Sequence, residues 1–362
     1  MKVIKVKLAK QSYEIRIGQG LLANLGLWLH EMMPATRAVL ITNPIVGGMY
    51  LETAKLSLIP QGFQLTVLVV PDGEEHKTLN TAGKLYGQMA DNLAERSTPV
   101  LAVGGGVIGD LAGFVASTYM RGVPLVQVPT TLLAQVDSSI GGKTAVDHGH
   151  LKNSIGTFYQ PKLVIADIDT LRSLPPREIS NGLAEIIKSA MIKDASLFGF
   201  LEKNLDALCS RDALLMEEAV ARTAAIKAGI VAKDEKDRGL RNTLNFGHTI
   251  GHAIESASRF KINHGQAVAI GMVAAARIAM QMGKFNKNDL TRMKRLIQRA
   301  GLPVDIPPLD IPLMIEKMEH DKKTVEGKTR FILPSAIGKV FVADDVSLQM
   351  VLQALESRDE EG

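Results

Sequence analysis

The first half of the chain alternates short apolar segments with segments of helix length. Residues 4–8 alternate apolar side chains with lysine, and residues 13–17 repeat that period of two after a short polar turn. This pattern predicts a β-hairpin. Further apolar runs have the length of buried parallel strands. These runs are Ala38–Thr42, Leu65–Val70, Val100–Val103, Leu125–Val128 and Leu163–Ile165.

The periodicity changes after the prolines at positions 175 and 176. Ser180 is expected to cap a helix, and long helical patterns follow it. Two late runs, Arg330–Leu333 and Lys339–Val342, predict a small hairpin. The sequence therefore predicts an α/β fold in two parts. These are an N-terminal Rossmann-like nucleotide-binding domain, residues 1–175, and a mainly α-helical C-terminal domain, residues 176–362, for the metal and the substrate.

The composition favours a small anionic ligand over nucleic acid or a membrane. The chain has 362 residues, 46% of them hydrophobic and 22% charged, which suits a globular protein with two cores. Its net charge is +4, but the basic residues are scattered, and only 4% of the residues are aromatic. A nucleic-acid-binding protein would need a basic block or a stacking platform.

The chain is expected to be cytoplasmic. Cys209 is its single cysteine, so an intramolecular disulfide or a multi-cysteine zinc site is excluded. The N-terminal residues lack the continuous apolar stretch of a signal peptide. The longest apolar run, Ala267–Ala276, has about half the length that a bilayer requires.

A glycine-rich segment lies between a predicted strand and a predicted helix. Gly104, Gly106 and Gly109 match G-x-G-x-x-G, which lets the backbone and a helix N-terminus approach a pyrophosphate. The motif lies far from the first strand, and no acid closes the next strand to hold a ribose, so a plain turn is the alternative. Candidate nucleotide contacts are Gly104, Gly105, Gly106, Val107, Ile108, Gly109, Asp110 and, at other strand ends, Asp72, Gly73, Glu74, Lys77, Thr130 and Thr131.

Histidines in the second half have the spacing of a metal site. His248 and His252 share one helix face at i, i+4, and His264 follows before the next helix. Glu185 lies on the helix expected after Ser180. Two or three imidazoles with one carboxylate form the ligand set of a catalytic zinc. Ordinary surface or core histidines are the alternative, and the spacing does not decide whether His248 or His252 is a ligand.

Lysines interleaved with glycines predict an anion site. Asp137 to Thr144 forms a second glycine-bearing loop that contains Lys143, and Lys152 follows with Asn153. Most lysines are simply solvated. Here, however, the density of turn-forming glycines and the absence of a helical or strand period favour a binding loop. Together with Arg241 and Asn245, these residues predict an anion site facing a metal.

The assembled motifs resemble the dehydroquinate synthase family. The matching blocks occur in the family's order and extend roughly from residue 70 to residue 335. They are Gly104–Asp110, Pro129–Lys143, Lys152–Gly156, Gly182–Lys188, Gly239–His252, His264–Gly271 and Asp321–Lys323. Ser154 and Ser189 stand where the family has a bulkier residue, and neither has an assigned role.

The resemblance implies a carbon–oxygen lyase of the shikimate pathway that converts 3-deoxy-D-arabino-heptulosonate 7-phosphate to 3-dehydroquinate and phosphate. It implies transient oxidation by NAD, β-elimination of phosphate, reduction and aldol closure, with zinc or cobalt as the divalent metal. It also implies a homodimer whose active site lies between the two domains.

The resemblance further implies a role for each matched residue. The metal ligands are Glu185, His248 and His264, and His252 lies on the phosphate side. The substrate contacts are Asp137, Lys143, Lys188, Asn153 and Asn245, with Lys227 and Arg241 holding the carboxylate. Arg121 reaches the partner subunit's phosphate site, and either Lys322 or Lys323 adds a phosphate lysine. Nucleotide contacts beyond the strand ends are Lys143, Lys152, Thr170, Leu171, Arg172 and Ser173.

Three other interpretations remain at this point. A sugar-phosphate cyclase of secondary metabolism would share the metal and NAD sites, but Lys227, Arg241 and Asn245 resemble the member that binds a carboxylate. A metal-dependent polyol or alcohol dehydrogenase would not need the lysine-rich pocket. A nucleotide-binding scaffold without chemistry would not need the histidine pair.

Overall fold

The computed structural model describes residues 1–9, 11–149, 151–319, 324–325 and 328–356. These residues divide into two compact units. The first unit comprises Met1–Leu174 with Met216–Lys236, and the second comprises Pro175–Leu215 with Asp237–Gly362. The units differ from the two predicted ranges because Met216–Lys236, a helical segment from the second half of the chain, groups with the first unit.

The first unit is an α/β structure, as predicted. Its strands are β1 (Lys2–Val6), β2 (Tyr13–Gly18), β3 (Arg37–Thr42), β4 (Gln64–Val69), β5 (Val100–Gly104), β6 (Leu125–Pro129), β7 (Lys143–His148), β8 (Leu151–Phe158) and β9 (Leu163–Asp167). Its helices are α1 (Leu25–Met32), α2 (Pro44–Leu58), α3 (Leu79–Asp91), α4 (Gly106–Thr118) and most of α7 (Ala213–Lys233).

The main sheet of the first unit is doubly wound. Its strand order over the described residues is β1-β2-β9-β6-β5-β3-β4. The N-terminal hairpin of β1 and β2 is antiparallel, as predicted, and the other pairings in this sheet are parallel. Alternate residues of one strand pack into opposite apolar clusters, since Val39 and Ile41 face α3 and α4 whereas Leu40 faces α1 and α2. Each face of the sheet is thus covered by helices.

The strand order creates a switch point beside the glycine-rich segment. The chain passes from β3 to β4 on one side and returns to β5 on the other side of β3. The connections therefore diverge at the carboxyl ends of β3 and β5 and leave a crevice there, which is where such sheets bind their ligands. Gly104 ends β5 and Gly106 begins α4, so the glycines lie at this crevice.

The segment predicted as a loop around Lys143 and Lys152 is a hairpin. Asp137 lies in a single π-helical turn, Ala134–Ser138, and the two lysines lie on β7 and β8, which pair in antiparallel orientation. The prediction of a glycine-bearing loop missed both strands because glycines and charges interrupt the strand alternation. Hydrogen bonds between the strands form regardless of that side-chain pattern.

The second unit is mainly helical, as predicted. Its helices are α5 (Pro176–Lys193), α6 (Ala195–Cys209), α8 (His248–Ala257), α9 (His264–Gln281), α10 (Lys287–Arg299), α11 (Ile311–Glu319) and α12 (Leu348–Glu356). Its strands are β10 (Thr324–Val325), β11 (Lys328–Thr329), β12 (Phe331–Ala336) and β13 (Lys339–Ala343). The predicted late hairpin is confirmed by the pairing of β12 with β13.

The start of α5 corrects one prediction. The helix begins at Pro176, and Ser180 lies inside its second turn instead of capping it. Proline is favoured in the first helical turn because the missing N–H would have no partner there. Among the described residues, no helix combines the length and apolarity needed to cross a bilayer.

Candidate functional site

The second unit brings a carboxylate and two imidazoles together. Glu185 of α5, His248 at the start of α8 and His264 at the start of α9 each offer a ligand atom, and these atoms lie within 4.8 Å of one another. Glu185 and His248 are buried, and His264 is half-buried. Neutral nitrogen and carboxylate oxygen are zinc ligands, so these three side chains could hold a divalent cation.

Close helix packing places the two histidines. At Gly271 on α9, an added Cβ would lie 1.9 Å from the carbonyl oxygen of Gly247, the residue before His248. At Gly265, beside His264, a Cβ would lie 2.7 Å from the backbone oxygen of Asn181 on α5. Side chains at these positions would separate α9 from α8 and from α5. The glycines therefore set the spacing of the cluster.

Hydrogen bonds add to this positioning. The side-chain oxygen of Asn181 accepts a hydrogen bond from the backbone N–H of Gly265 at 2.6 Å. Asn181 precedes Glu185 by one helical turn, so the residue that fixes the N-terminus of α9 shares a face of α5 with Glu185. A capping box between Asn263 and Gln266 fixes the first turn of α9.

The two imidazoles have the same orientation toward Glu185. The Nε2 atoms of His264 and His248 lie 3.5 Å and 3.8 Å from its Oε1 atom. The Nδ1 atoms point elsewhere: that of His248 lies 3.2 Å from the carbonyl oxygen of Phe246, and that of His264 lies 3.5 Å from Oε1 of Glu255. A proton on Nδ1 leaves Nε2 available, which is how metal-binding histidines are usually arranged.

The charges of the cluster also fit a cation. Burial lowers the pKa of the His264 imidazole, but the contacts with Glu185 and Glu255 outweigh burial and raise that pKa to about 10. The carboxylates thus favour positive charge at this point. Lys188 forms an ion pair with Oε2 of Glu185, which leaves Oε1 facing the histidines. The donor atoms and their charge therefore fit a divalent metal.

His252 lies beside this cluster and outside it. Its ring contacts the His248 ring edge-on, with the centroids 5.3 Å apart, and it does not belong to the group of ligand atoms found among the described residues. The spacing in the sequence left His248 and His252 as equal candidates. The geometry favours His248 because its Nε2 atom faces Glu185.

The first unit places the predicted nucleotide segments around the crevice at the switch point. Gly105 is the N-cap residue of α4, so the first N–H groups of that helix face the end of β5. A Cβ at Gly105 would lie 3.1 Å from Cγ2 of Thr131, which follows β6. The close approach of these two segments forms a cradle of the kind that accepts a pyrophosphate.

Lys77 is the centre of a polar network in the first unit. Its side chain is 4% exposed, and its Nζ atom lies 2.7 Å from Glu74, 3.5 Å from Asp110 and 3.8 Å from Asp147. It also donates a hydrogen bond to Asn153 at 2.8 Å. Burial raises the pKa of Asp110, the nearby Lys77 lowers it, and the net result is a pKa of about 7.

Other predicted residues also have defined partners. Lys227 of α7 donates hydrogen bonds to the backbone and side chain of Asp137, at 2.7 Å and 2.5 Å. Asp72 accepts a hydrogen bond from Asn43 at 2.6 Å. Arg121 is exposed in a turn with a φ of 65°, next to Met120 with a φ of 48°. These left-handed values cost conformational energy, so the surrounding structure must hold the turn.

The segment Thr170–Ser173 lies in a 3₁₀ helix after β9. Gln135 is completely buried and donates hydrogen bonds to the carbonyl of Asp167 at 2.9 Å and to the hydroxyl of Thr170 at 3.2 Å. Leu171 is buried, and Arg172 pairs with Asp169 at 2.9 Å. This segment is therefore fixed to the residues that follow β6.

The remaining predicted residues are divided between the two units, and two of them lie outside the described residues. In the second unit, Arg241 and Asn245 belong to a 3₁₀ segment, Leu240–Asn245, directly before α8, and Arg241 is buried. In the first unit, Lys143 and Lys152 are exposed on β7 and β8. Lys322 and Lys323 lie outside the described residues.

The sequence analysis missed four residues whose side chains contact the predicted site residues. Glu255 and Asn181 contact the metal cluster, and Asp147 and Gln135 contact the nucleotide segments. Glu255 follows His248 by seven residues, a spacing that returns to the same helix face. Asn181 likewise precedes Glu185 by four residues on one helix face. The contacts of Asp147 and Gln135 join distant parts of the chain and left no such signal.

The chain is similar to known proteins over nearly its whole length. Residues 67–181 match the family model for the N-terminal part of 3-dehydroquinate synthase, and residues 182–324 match the model for its C-terminal part. A 3-dehydroquinate synthase of Dehalococcoides mccartyi is 49% identical over 356 residues, which cover 98% of this chain and 99% of the relative.

Two solved structures of other synthases share the fold. A 2-epi-5-epi-valiolone synthase of Streptomyces hygroscopicus, with NAD⁺ and Zn²⁺ bound, has a TM-score of 0.89 and 30% identity, covering 96% of this chain and 97% of that one. A 2-deoxy-scyllo-inosose synthase, complexed with carbaglucose-6-phosphate, NAD⁺ and Co²⁺, has a TM-score of 0.90 and 28% identity, covering 99% and 100%.

Proposed function

The chain belongs to the 3-dehydroquinate synthase family, and we propose that it is a phosphate-eliminating lyase that converts 3-deoxy-D-arabino-heptulosonate 7-phosphate to 3-dehydroquinate. The near-complete match to a curated synthase at 49% identity carries this proposal. It is supported by the Glu185, His248 and His264 cluster and by the glycine segment at the switch point. The activity belongs to the shikimate pathway.

The cofactors are NAD, held at the glycine segment, and zinc or cobalt, held by Glu185, His248 and His264. When bound, NAD accepts a hydride and later returns it, and the metal polarises the oxygen of the group being oxidised. Both similar synthase structures contain NAD⁺ with Zn²⁺ or Co²⁺. The net reaction is loss of phosphate with closure of a carbon ring, and it consumes no NAD.

The cationic side chains of the chain bind the two anionic ends of the substrate. Lys227 and Arg241 hold the carboxylate, and Lys143 and Lys188, with His252, hold the phosphate. Lys188 is buried and paired with Glu185, so its charge is fixed near the metal ligands. His252 also exchanges the proton that the elimination requires, since a positioned imidazole can act as a general acid or base.

Other assigned contacts orient the substrate and the nucleotide. Asp137, Asn153 and Asn245 contact the sugar, and one of Lys322 and Lys323 contacts the phosphate. Asn153 accepts a hydrogen bond from Lys77, a nucleotide residue, so the two binding sites share one polar network. The other nucleotide contacts are Asp72, Gly73, Glu74, Gly104–Asp110, Thr130, Thr131, Lys143, Lys152 and Thr170–Ser173.

The enzyme acts as a cytoplasmic homodimer on a small anionic sugar phosphate, without nucleic acid or membrane partners. Arg121 contributes to the phosphate site of the partner subunit. Its exposure and the left-handed turn that holds it support this role. The scattered basic residues and low aromatic content argue against a nucleic-acid partner.

The first experiment follows the hydride and the phosphate in one sample. Purified protein is incubated with the heptulosonate phosphate, NAD and zinc, while phosphate, dehydroquinate and NADH absorbance are recorded. We expect equimolar phosphate and dehydroquinate with no accumulation of NADH. NADH formed in step with phosphate, or NADH from a simple polyol without phosphate, would identify a dehydrogenase and refute the proposal.

A second substrate tests the rival cyclase function. A heptulose 7-phosphate without the carboxylate would lack the charge-assisted hydrogen bonds that Arg241 is proposed to give to that group. We therefore expect a much lower kcat/KM for this compound than for the carboxylated substrate. Equal or faster turnover would favour a cyclase of secondary metabolism. The variant Arg241→Gln should remove most of the preference for the carboxylate.

A further inference from the structure

Each histidine of the metal cluster has a second contact on its Nδ1 atom, and the two contacts differ in charge. The partner of His248 is a neutral backbone carbonyl, that of Phe246. The partner of His264 is the carboxylate of Glu255. The His264 ring thus lies between two carboxylates, each with an oxygen 3.5 Å from a ring nitrogen.

Helix α8 supplies both a candidate ligand and this carboxylate. His248 begins α8, and Glu255 lies two turns later on the same face. The Glu255 side chain is 13% exposed, so water screens its charge only in part. A single helix can therefore place one ligand directly and hold the ring of the other through Glu255.

We propose that Glu255 is a positioning residue for the metal site. Resting on the metal dependence proposed above, this role is to contact the Nδ1 side of the His264 ring and so hold its Nε2 atom toward Glu185. A carboxylate in this position also makes the imidazole a stronger donor. Glu255 itself stays outside the coordination sphere because it faces Nδ1, on the opposite side of the ring from the other ligand atoms.

Two substitutions separate hydrogen bonding from charge. Glu255→Gln keeps an oxygen acceptor but removes the negative charge, and Glu255→Ala removes both. Residues that contact a metal-binding histidine in this way typically change metal affinity by about 10–100-fold. We expect Glu255→Ala to weaken zinc and cobalt binding by that factor and Glu255→Gln to weaken it less.

The affinities are measured by competition with a chromophoric chelator, without assaying activity. The matched control is Glu202→Ala, which removes a glutamate of the same unit whose partner is Arg292, 2.7 Å away on the surface. This control should bind zinc like the wild type. Circular dichroism verifies that each variant is folded. If Glu255→Ala does not fold, the comparison with the wild type uses Glu255→Gln alone.

The visible spectrum of bound cobalt distinguishes positioning from coordination. With Glu255 outside the coordination sphere, the variants bind Co²⁺ more weakly but give the wild-type bands at saturation. Changed bands at saturation would make Glu255 a ligand and overturn the proposal, and so would unchanged affinity in Glu255→Ala. If the wild type itself bound neither metal, the metal dependence of the proposed function would fail as well.

Discussion

The substitution Gly271→Ala tests whether helix packing sets the geometry of the candidate metal site. In the structure, an added Cβ at Gly271 would lie 1.9 Å from the Gly247 carbonyl oxygen and 3.0 Å from the Gly251 backbone nitrogen. Both contacts are to backbone, so no side-chain rotation can relieve them. Helix α8 must move away from α9, and His248 must move with it.

The size of this movement can be estimated. Restoring an ordinary carbon–oxygen separation requires a shift of about 1 Å or more, whereas metal-ligand distances tolerate only about 0.2 Å. We expect zinc affinity to fall by at least about tenfold, which corresponds to roughly 1.4 kcal/mol. Overpacking costs about 1–3 kcal/mol, and the higher helix propensity of alanine returns about 1 kcal/mol. The net loss of stability is about 0–2 kcal/mol.

The assay combines zinc competition with urea unfolding followed by circular dichroism. Gly199→Ala is the matched control because Gly199 lies inside α6 of the same unit, and a Cβ there would meet nothing within 4 Å. The control should gain about 0.5–1 kcal/mol from helix propensity and keep its zinc affinity. If Gly271→Ala bound zinc like the wild type and were at least as stable, the packing argument would be refuted.

Three further predictions follow from the two sites. His264→Ala should lose stoichiometric zinc while remaining folded, and His252→Ala should retain it; metal analysis after gel filtration measures both, and the reverse result would exchange their roles. Burial, opposed by Lys77, raises the pKa of Asp110 from 3.8 to about 7, so the folded protein binds a proton that the unfolded chain releases, and stability should decrease as the pH rises through this window. Asp110→Asn should flatten that dependence in urea unfolding, and an unchanged slope would contradict the assigned pKa. Mixed dimers of Arg121→Ala and Lys143→Ala chains should recover part of the activity that each variant lacks alone, and no recovery in verified hybrids would argue against a shared site.

Local hydrophobic patterns in the sequence predicted those strands whose apolar side chains are continuous or strictly alternate. The strands from β3 to β9 in the main sheet are nearly continuous apolar runs, as parallel strands covered on both faces must be. The antiparallel pairing of β1 with β2 follows from strict alternation. Glycines between β5 and α4 predicted a nucleotide segment because strand, turn and helix are consecutive in the chain.

Local patterns failed where other interactions decide the structure. Ser180 has the chemistry of a helix cap, but the proline at position 176 already starts the helix. Lys143 and Lys152 lie in a strand pair whose alternation is interrupted, and Asn153 adopts a left-handed φ of 52° within it. Backbone pairing with the opposite strand determines this structure, and a side-chain period does not report it.

The amino-acid types at the candidate site were readable from the sequence, but their arrangement was not. The resemblance to the family's motifs identified Glu185, His248 and His264, because the motifs that contain them occur along the chain in the same order as in the family. The contact between Asn181 and Gly265 joins residues 84 positions apart, and the contact between Glu255 and His264 crosses from one helix to another. Such contacts depend on how closely two helices approach, which is set by the packing of many side chains at once. Only the tertiary structure therefore decided which groups hold the candidate metal ligands in place.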